Sequence, residues 1–61
     1  MAKITEKELT MLGELMNMES VMCGKCQSMA QCMQDSALKD RYTQMAQRHQ
    51  RHFDELYSNL K

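Results

Sequence analysis

The sequence predicts an all-α fold in which two long helices form an antiparallel hairpin and two such hairpins pair as a four-helix bundle. Three observations predict it. The 61-residue chain contains no proline and two glycines, apolar residues recur at alternating spacings of three and four, and this pattern breaks once, at residues 34–36. We therefore expect a single structural unit over residues 1–61.

The length of the chain indicates that it needs a partner. A core in a chain below about 70–80 residues rarely contributes more than about 3–5 kcal/mol to stability. Three cysteines are an odd number, so they do not make a closed framework of intrachain disulfides. Because twofold dimers are the commonest oligomers, we expect a homodimer.

The first helix is predicted over residues 5–33. Thr5 and Glu8 fit a capping box, and Ile4 and Leu9 fit the hydrophobic staple that accompanies it. A seam of positions at helical spacing follows: Leu9, Leu12, Met16, Glu19, Cys23, Cys26, Ala30 and Met33. Two further apolar rows lie beside it, one of Leu15, Met22 and Met29 and one of Met11 and Met18. A face this wide is typical of a helix that contacts two neighbours.

The second helix is predicted over residues 36–60, after a turn at about 34–36. Asp35 or Ser36 is expected to cap it. Its apolar row consists of Leu38, Tyr42, Met45, Ala46, His49, Phe53, Leu56, Tyr57 and Leu60. A link this short makes the two helices run antiparallel. Two hairpins with such wide apolar faces bury them by pairing as a four-helix bundle.

Composition and charge exclude several classes of function. Eight basic and eight acidic residues give a net charge of zero, which argues against binding to nucleic acid or to an acidic membrane surface. No apolar run approaches the roughly 20 residues that a membrane-spanning helix requires, and the first residues lack the apolar stretch of a signal peptide. We therefore expect a cytoplasmic protein without a membrane or nucleic-acid partner.

The sequence offers little support for catalysis. It contains no glycine-rich phosphate loop, and no serine or cysteine stands beside a histidine as an activated nucleophile. We therefore expect a protein that is not an enzyme and that has no catalytic residues.

Two polar residues interrupt the apolar seams at a similar height. Glu19 and His49 each lie about 14–15 residues from the turn, so we expect them to face each other inside the bundle. One interpretation is a buried hydrogen-bonded pair that fixes the register of the helices. The other is a metal site that His52 joins from the edge of the face, since carboxylate and imidazole ligands suit zinc, iron or manganese.

The cysteines leave a second pair of interpretations open. Cys23 and Cys26 form a C-x-x-C pair, and Cys32 follows nearby. The pair lies deep within a helix, whereas redox pairs of this kind place the first cysteine at a helix N-terminus. The first interpretation is therefore that they are small buried hydrophobes. The alternative is thiol chemistry, or binding of Cu(I) with neighbouring methionines as further soft ligands.

Segments of both helices resemble a known family. The runs DSALKD at 35–40 and MAQRHQRHF at 45–53, with Leu56, are similar to the small spore coat proteins of the coat F type, as are TEKEL at 5–9 and LMNME at 15–19. The resemblance spans nearly the whole chain. It implies a ferritin-like four-helix bundle, a structural or assembly role, a location in the coat of a spore-forming bacterium, and other coat proteins as partners.

The ferritin-like resemblance also implies where a metal would lie. Di-metal proteins of this class use a glutamate from each of two helices and a Glu-x-x-His pair from each of the other two. Glu19 matches the single glutamate and His49 matches the histidine, but Ala46 stands where the pair requires its glutamate. The resemblance therefore implies at most a single metal ion, rather than a di-iron centre for oxidation or iron storage.

Overall fold

The structure, a computed structural model that describes residues 3–60, is a hairpin of two α-helices. Helix α1 spans Glu6–Cys32 and helix α2 spans Ser36–Ser58, against predicted ranges of 5–33 and 36–60. Within the described residues there is no strand. The helices pack side by side in an elongated body with Cα extents of 47 × 17 × 10 Å. The prediction of an all-α helical hairpin is confirmed.

The first turn of α1 is closed by the predicted capping box. The Thr5 hydroxyl accepts a hydrogen bond from the Glu8 backbone N–H at 3.1 Å, and the Glu8 carboxylate accepts one from the Thr5 backbone N–H at 3.0 Å. These contacts with Thr5 hold the pKa of Glu8 below its usual range, since the ionised carboxylate is the better acceptor. The contribution of the Glu8 carboxylate to the cap is therefore fully present above the ordinary pKa of a glutamate and is lost as the pH falls through the lowered value, whereas the bond from the Glu8 N–H to the Thr5 hydroxyl does not titrate.

The link between the helices is short and itself capped. Met33 leaves α1 in an extended conformation, and Asp35 caps α2 by accepting a hydrogen bond at Oδ1 from the Leu38 backbone N–H at 3.0 Å. Of the two predicted caps, Asp35 is used, and Ser36 is the first residue of α2. Because only residues 33–35 separate the helices, α2 returns directly along α1.

The core between the helices is built from small side chains. Cys23, Cys26 and Ala46 form its centre, and Tyr42 packs against them. Cys26 is the most enclosed of the buried residues in the described part of the chain, at 3% exposure, and no large side chain there is fully buried. Small side chains let two helices approach closely but remove little apolar area from water. At about 25 cal/mol per Å² of apolar area, such a core contributes little to stability.

Large apolar side chains are instead exposed along one side of the hairpin. They recur every seven residues on each helix: Leu15, Met22 and Met29 on α1, and Leu38 and Met45 on α2. Each of these five is between 40% and 48% exposed. Leu15 and His52 line the same shallow depression. Because His52 lies seven residues after Met45, it continues the row of Leu38 and Met45. The apolar row of α1 and that of α2 therefore border the same side of the molecule. We name this set of five residues the apolar face.

The opposite side of the hairpin is polar. A groove runs there between the helices, lined mainly by amide and charged side chains that include Gln27, Gln31, Lys39, Gln47, Gln50 and Asp54. Gln27 and Gln31 flank the seam of α1 on the other side from Met22 and Met29. The hairpin is therefore two-sided, with one side suited to water and the other suited to an apolar partner.

Several residues of the predicted apolar rows are not covered within the hairpin. Leu9, which begins the predicted seam of α1, is 47% exposed, and four members of the α2 row are exposed as well: Leu38, Met45, Tyr57 and Leu60. The physical reason is that one neighbouring helix covers only a narrow stripe of a cylinder about 10 Å wide. A single hairpin leaves the outer rows of both helices in water.

Candidate metal centre

The candidate site lies at the middle of the hairpin, where the seams of the two helices carry polar residues. Glu19 is the central residue of α1, which spans Glu6–Cys32. His49 and His52 lie three residues apart on α2, which places both imidazoles on the same side of that helix. The short link fixes the height of α2 against α1, and this brings all three side chains together.

The Glu19 carboxylate contacts both imidazoles, one with each oxygen. Its Oε1 lies 2.6 Å from the Nδ1 of His49, and its Oε2 lies 3.3 Å from the Nδ1 of His52. The two imidazole rings meet edge to face, with centroids 6.1 Å apart. The side chains of Glu19 and His49 are 24% and 23% exposed, and that of His52 is 44% exposed. The cluster is thus half-buried, and water reaches it from one side.

These contacts determine where the protons lie. The hydrogen bond from His49 holds the pKa of Glu19 below its usual range, with a further contribution from the charge of His52, against the opposing effect of burial. Glu19 is therefore an ionised carboxylate at neutral pH, and an ionised carboxylate only accepts hydrogen bonds. The Nδ1 of His49 must be the donor, which leaves its Nε2 with a free lone pair when the ring is neutral.

The donor set suits a divalent transition metal. One ligand atom each from Glu19, His49 and His52 lies within 4.8 Å of the others, and carboxylate with imidazole suits zinc, iron or manganese. One chain offers three side chains, whereas a zinc ion takes four ligands. A metal at this cluster would therefore need a ligand from water or from another molecule.

The cysteines do not form a comparable cluster in the described part of the chain. Cys23 and Cys26 are buried between the helices, and Cys32 is exposed near the link. The Cys23 thiol contacts Oε1 of Gln50, a neutral amide, at 3.9 Å. Among residues 3–60, the only group of three metal-ligating side chains is that of Glu19 and the two histidines.

Two residues that line the site, Glu55 and Asn59, were not predicted from the sequence, whereas the alanine at position 46 was. Glu55 and Asn59 line the depression beside Glu19 and His52. Glu55 and Asn59 follow His52 by three and seven residues. On a helix this spacing puts them on the same face as His52, and that spacing could have predicted their place beside the site. Ala46 lies in the buried core at 5% exposure, so the position that would hold the second glutamate of a ferritin-like pair carries a methyl group.

Comparisons of the chain with protein-family models, with curated proteins and with solved structures found no match. Within residues 3–60, neither helix has the combination of length and apolar content needed to span a membrane.

Proposed function

We propose that the protein is a non-enzymatic assembly module that pairs with a second copy of itself as a ferritin-like four-helix bundle. The apolar face carries the proposal, because it places five large apolar side chains on one side of a molecule whose own core is thin. When two such faces meet, both are removed from water and a closed core forms between four helices.

The surface area of the chain supports a second copy as the partner. The hairpin exposes 5161 Å², whereas a compact monomer of this length exposes about 4,100 Å². The excess of about 1,000 Å² is close to the roughly 800 Å² that each partner contributes to a stable interface. A twofold interface also requires a patch that is complementary to itself, and an uncharged row of leucines and methionines meets that requirement.

The similarity of residues 35–40 and 45–53 to small spore coat proteins supports a place for this module in the coat of a spore-forming bacterium. In that setting the dimer would contact other coat proteins through surfaces outside the apolar face. The polar groove on the opposite side, with Lys39 and Asp54 along it, stays accessible when the apolar faces pair.

The homodimer is tested by sedimentation equilibrium of the untagged chain in reducing buffer with EDTA. We expect twice the mass of one chain at micromolar concentration, and a thermal midpoint that rises with protein concentration, because association stabilises the folded state by mass action. A folded monomer whose thermal midpoint is independent of concentration would contradict the proposal.

A second candidate function is binding of a divalent metal ion, which the convergence of Glu19, His49 and His52 favours. The half-buried position supports it, because water reaches the cluster from one side, so an ion has access to these ligands. Zinc, iron and manganese fit these ligands. Cu(I) or thiol-based binding through Cys23, Cys26 and Cys32 has less support, because in the described residues these thiols are not part of a cluster of three metal-ligating groups.

Metal binding is tested by calorimetric titration of Zn²⁺ into a variant in which all three cysteines are alanine, so that thiols do not compete. We expect saturable binding that His49→Ala weakens by more than tenfold, since loss of a ligand costs more than the roughly 10- to 100-fold loss typical of an outer-shell partner. Glu14→Gln, a matched loss of charge at an exposed position of α1, is expected to bind Zn²⁺ normally. Equal binding by both variants would contradict the site.

A further inference from the structure

We propose that two copies pair through their apolar faces in opposite directions, and that charged residues along the edges of the face select this orientation. The link of each copy then lies over the open end of the other hairpin, the end that holds the start of α1 and the end of α2. This orientation rests on the proposed homodimer. It adds the direction and the register of the second copy and the ion pairs between the two chains.

Exposed charged residues follow the outer edge of the apolar row of α2. Each lies three positions after a member of the row of Leu38, Met45 and His52, and residues at this spacing are neighbours on a helix. The neighbours on the other side of the row, four positions after its members, include the half-buried Tyr42 and His49. The outer edge therefore faces away from α1, and it carries three charged residues: Arg41, Arg48 and Glu55.

Two charged residues lie on the corresponding edge of α1. Lys25 follows Met22 by three positions and is exposed, whereas the neighbour of Met22 four positions on is the buried Cys26. Glu14 lies three positions after Met11 and is exposed as well. We name the following four residues the charged rim: Glu14, Lys25, Arg41 and Glu55.

The charged rim has no ion pair within the described hairpin. The ion pairs among residues 3–60 are those of Glu19 with the two histidines. For Glu14, Lys25 and Arg41, the residues three and four positions away on the helix are all uncharged. These side chains therefore have no partner of opposite charge at the usual helical spacing, and their charges are available to a second molecule.

The charged rim is unevenly distributed along the length of the hairpin. Counted from residue 34 at the middle of the link, Arg41 and Lys25 lie about 7 and 9 positions away. Glu14 and Glu55 lie about 20 and 21 positions away. The rim is thus basic in the half near the link and acidic in the half near the open end.

This distribution disfavours a dimer in which both links lie at the same end. In that orientation the twofold axis runs along the helices, and α1 of one copy packs on α2 of the other. Lys25 then lies beside Arg41 of the second copy, and Glu14 lies beside Glu55. Four like-charged contacts form, and such contacts act against an orientation, as they do between the flanking positions of coiled coils.

The opposite orientation pairs every charge of the rim. The twofold axis then crosses the helices at their middle, and each helix packs antiparallel on its own copy. Arg41 lies beside Glu55 of the second copy and Lys25 lies beside Glu14, so four ion pairs form. Each exposed pair contributes little energy, but the difference between four attractive and four repulsive contacts decides between two orientations that bury the same apolar faces.

The same pairs determine the register of the two hairpins. Arg41 and Glu55 reach equal heights when the axis crosses about 14 positions from the link, and Lys25 and Glu14 do so at about 14–15 positions. An axis there crosses the middle of both helices, so the charges pair while the helices overlap along their full length. Arg48 lies at the axis beside its own copy, but it is exposed and its long side chain reaches water.

The orientation is measured through a spin label on Cys32, which is exposed, whereas Cys23 and Cys26 are buried. Labelling of the folded natural chain therefore attaches one nitroxide to each chain, which mass spectrometry establishes. In the proposed dimer the two Cys32 residues lie about 12 positions on either side of the axis, so double electron–electron resonance is expected to give a distance of about 35–45 Å. With both links at the same end, the labels lie within about 25 Å of each other, because neighbouring helices pack about 8–10 Å apart.

A charge reversal gives opposite results for the two orientations. Arg41→Glu is expected to raise the dimer dissociation constant by about tenfold at low ionic strength, because it turns two ion pairs into like-charged contacts. If both links lay at the same end, the same change would tighten the dimer by pairing with Lys25. Arg41→Glu combined with Glu55→Arg is expected to restore the affinity of the parent. Arg51→Glu is the matched control, with the same charge change on the side of the polar groove, and sedimentation equilibrium in EDTA gives the dissociation constants.

The outcomes separate the orientation from the homodimer on which it rests. A monomeric parent would overturn both. A label distance within about 25 Å, or a dimer that Arg41→Glu tightens or leaves unchanged, would overturn the orientation and leave the homodimer intact. Failure of the double reversal to restore the affinity, or a control that weakens the dimer as much as Arg41→Glu does, would overturn the pairing of Arg41 with Glu55.

Discussion

Leu12→Ala is expected to lower the stability of the protein by about 2–3 kcal/mol, the lower part of the range measured for truncation of buried leucines. Leu12 is the largest side chain among the buried residues of the described chain, at 9% exposure; the others are Cys23, Cys26, Ala30 and Ala46. No large side chain there is fully buried, so this substitution removes the largest apolar side chain that the described residues bury. For a domain of this size the thermal midpoint falls by about 10–20 °C.

The measurement is thermal unfolding followed by circular dichroism at a fixed protein concentration in EDTA. Leu9→Ala is the matched control, because it makes the same substitution one turn earlier on α1, where the side chain is 47% exposed. We expect the control to change stability by about 0.5 kcal/mol or less, as exposed positions usually do. Equal losses in the two variants would show that the packing of α1 against α2 differs from that described.

The contrast between Leu9 and Leu12 also shows how much of the fold the sequence predicts. The two helices, the cap at Thr5 and the break between the helices are set by contacts within a few residues, and the sequence predicts them. For the cap of α2 the sequence offers Asp35 or Ser36, and the structure uses Asp35. Both leucines fit the same repeat, yet only Leu12 is buried. Which member of a repeat is covered depends on how each helix is rotated toward its neighbour, and a local pattern does not contain that rotation.

The candidate site is likewise predictable from the sequence only in part. The approach of Glu19 to His49 is predictable from the sequence. In two antiparallel helices joined by a short link, residues that lie the same number of positions from the link lie side by side. That each carboxylate oxygen takes a different imidazole depends on side-chain rotamers that the spacing does not specify. The apolar rows beside the seam are visible in the sequence, whereas their exposure in the single hairpin follows only from the width of the contact between the two helices.

Met22→Lys combined with Met29→Lys is expected to weaken the proposed homodimer by on the order of 100-fold or more, because it buries unpaired charges in the proposed interface. These side chains lie one heptad apart on α1 and are each 40% exposed in the hairpin. In a single hairpin the change is nearly neutral, because lysine favours helices and its ammonium group reaches water while its stem covers apolar surface. In the dimer four ammonium groups enter the interface without partners, and burial of an unpaired charge costs several kcal/mol.

The result is read from the dimer dissociation constant by sedimentation equilibrium in EDTA, with far-ultraviolet circular dichroism to establish that the helices remain. Gln27→Lys combined with Gln47→Lys is the matched control, since it adds the same charge along the polar groove on the other side. A control that dissociates the dimer as strongly as the double variant of Met22 and Met29 would place the interface on the polar side. Retention of the dimer only in the control identifies the apolar face as the surface through which two copies pair, because net charge and charge repulsion are the same in both variants.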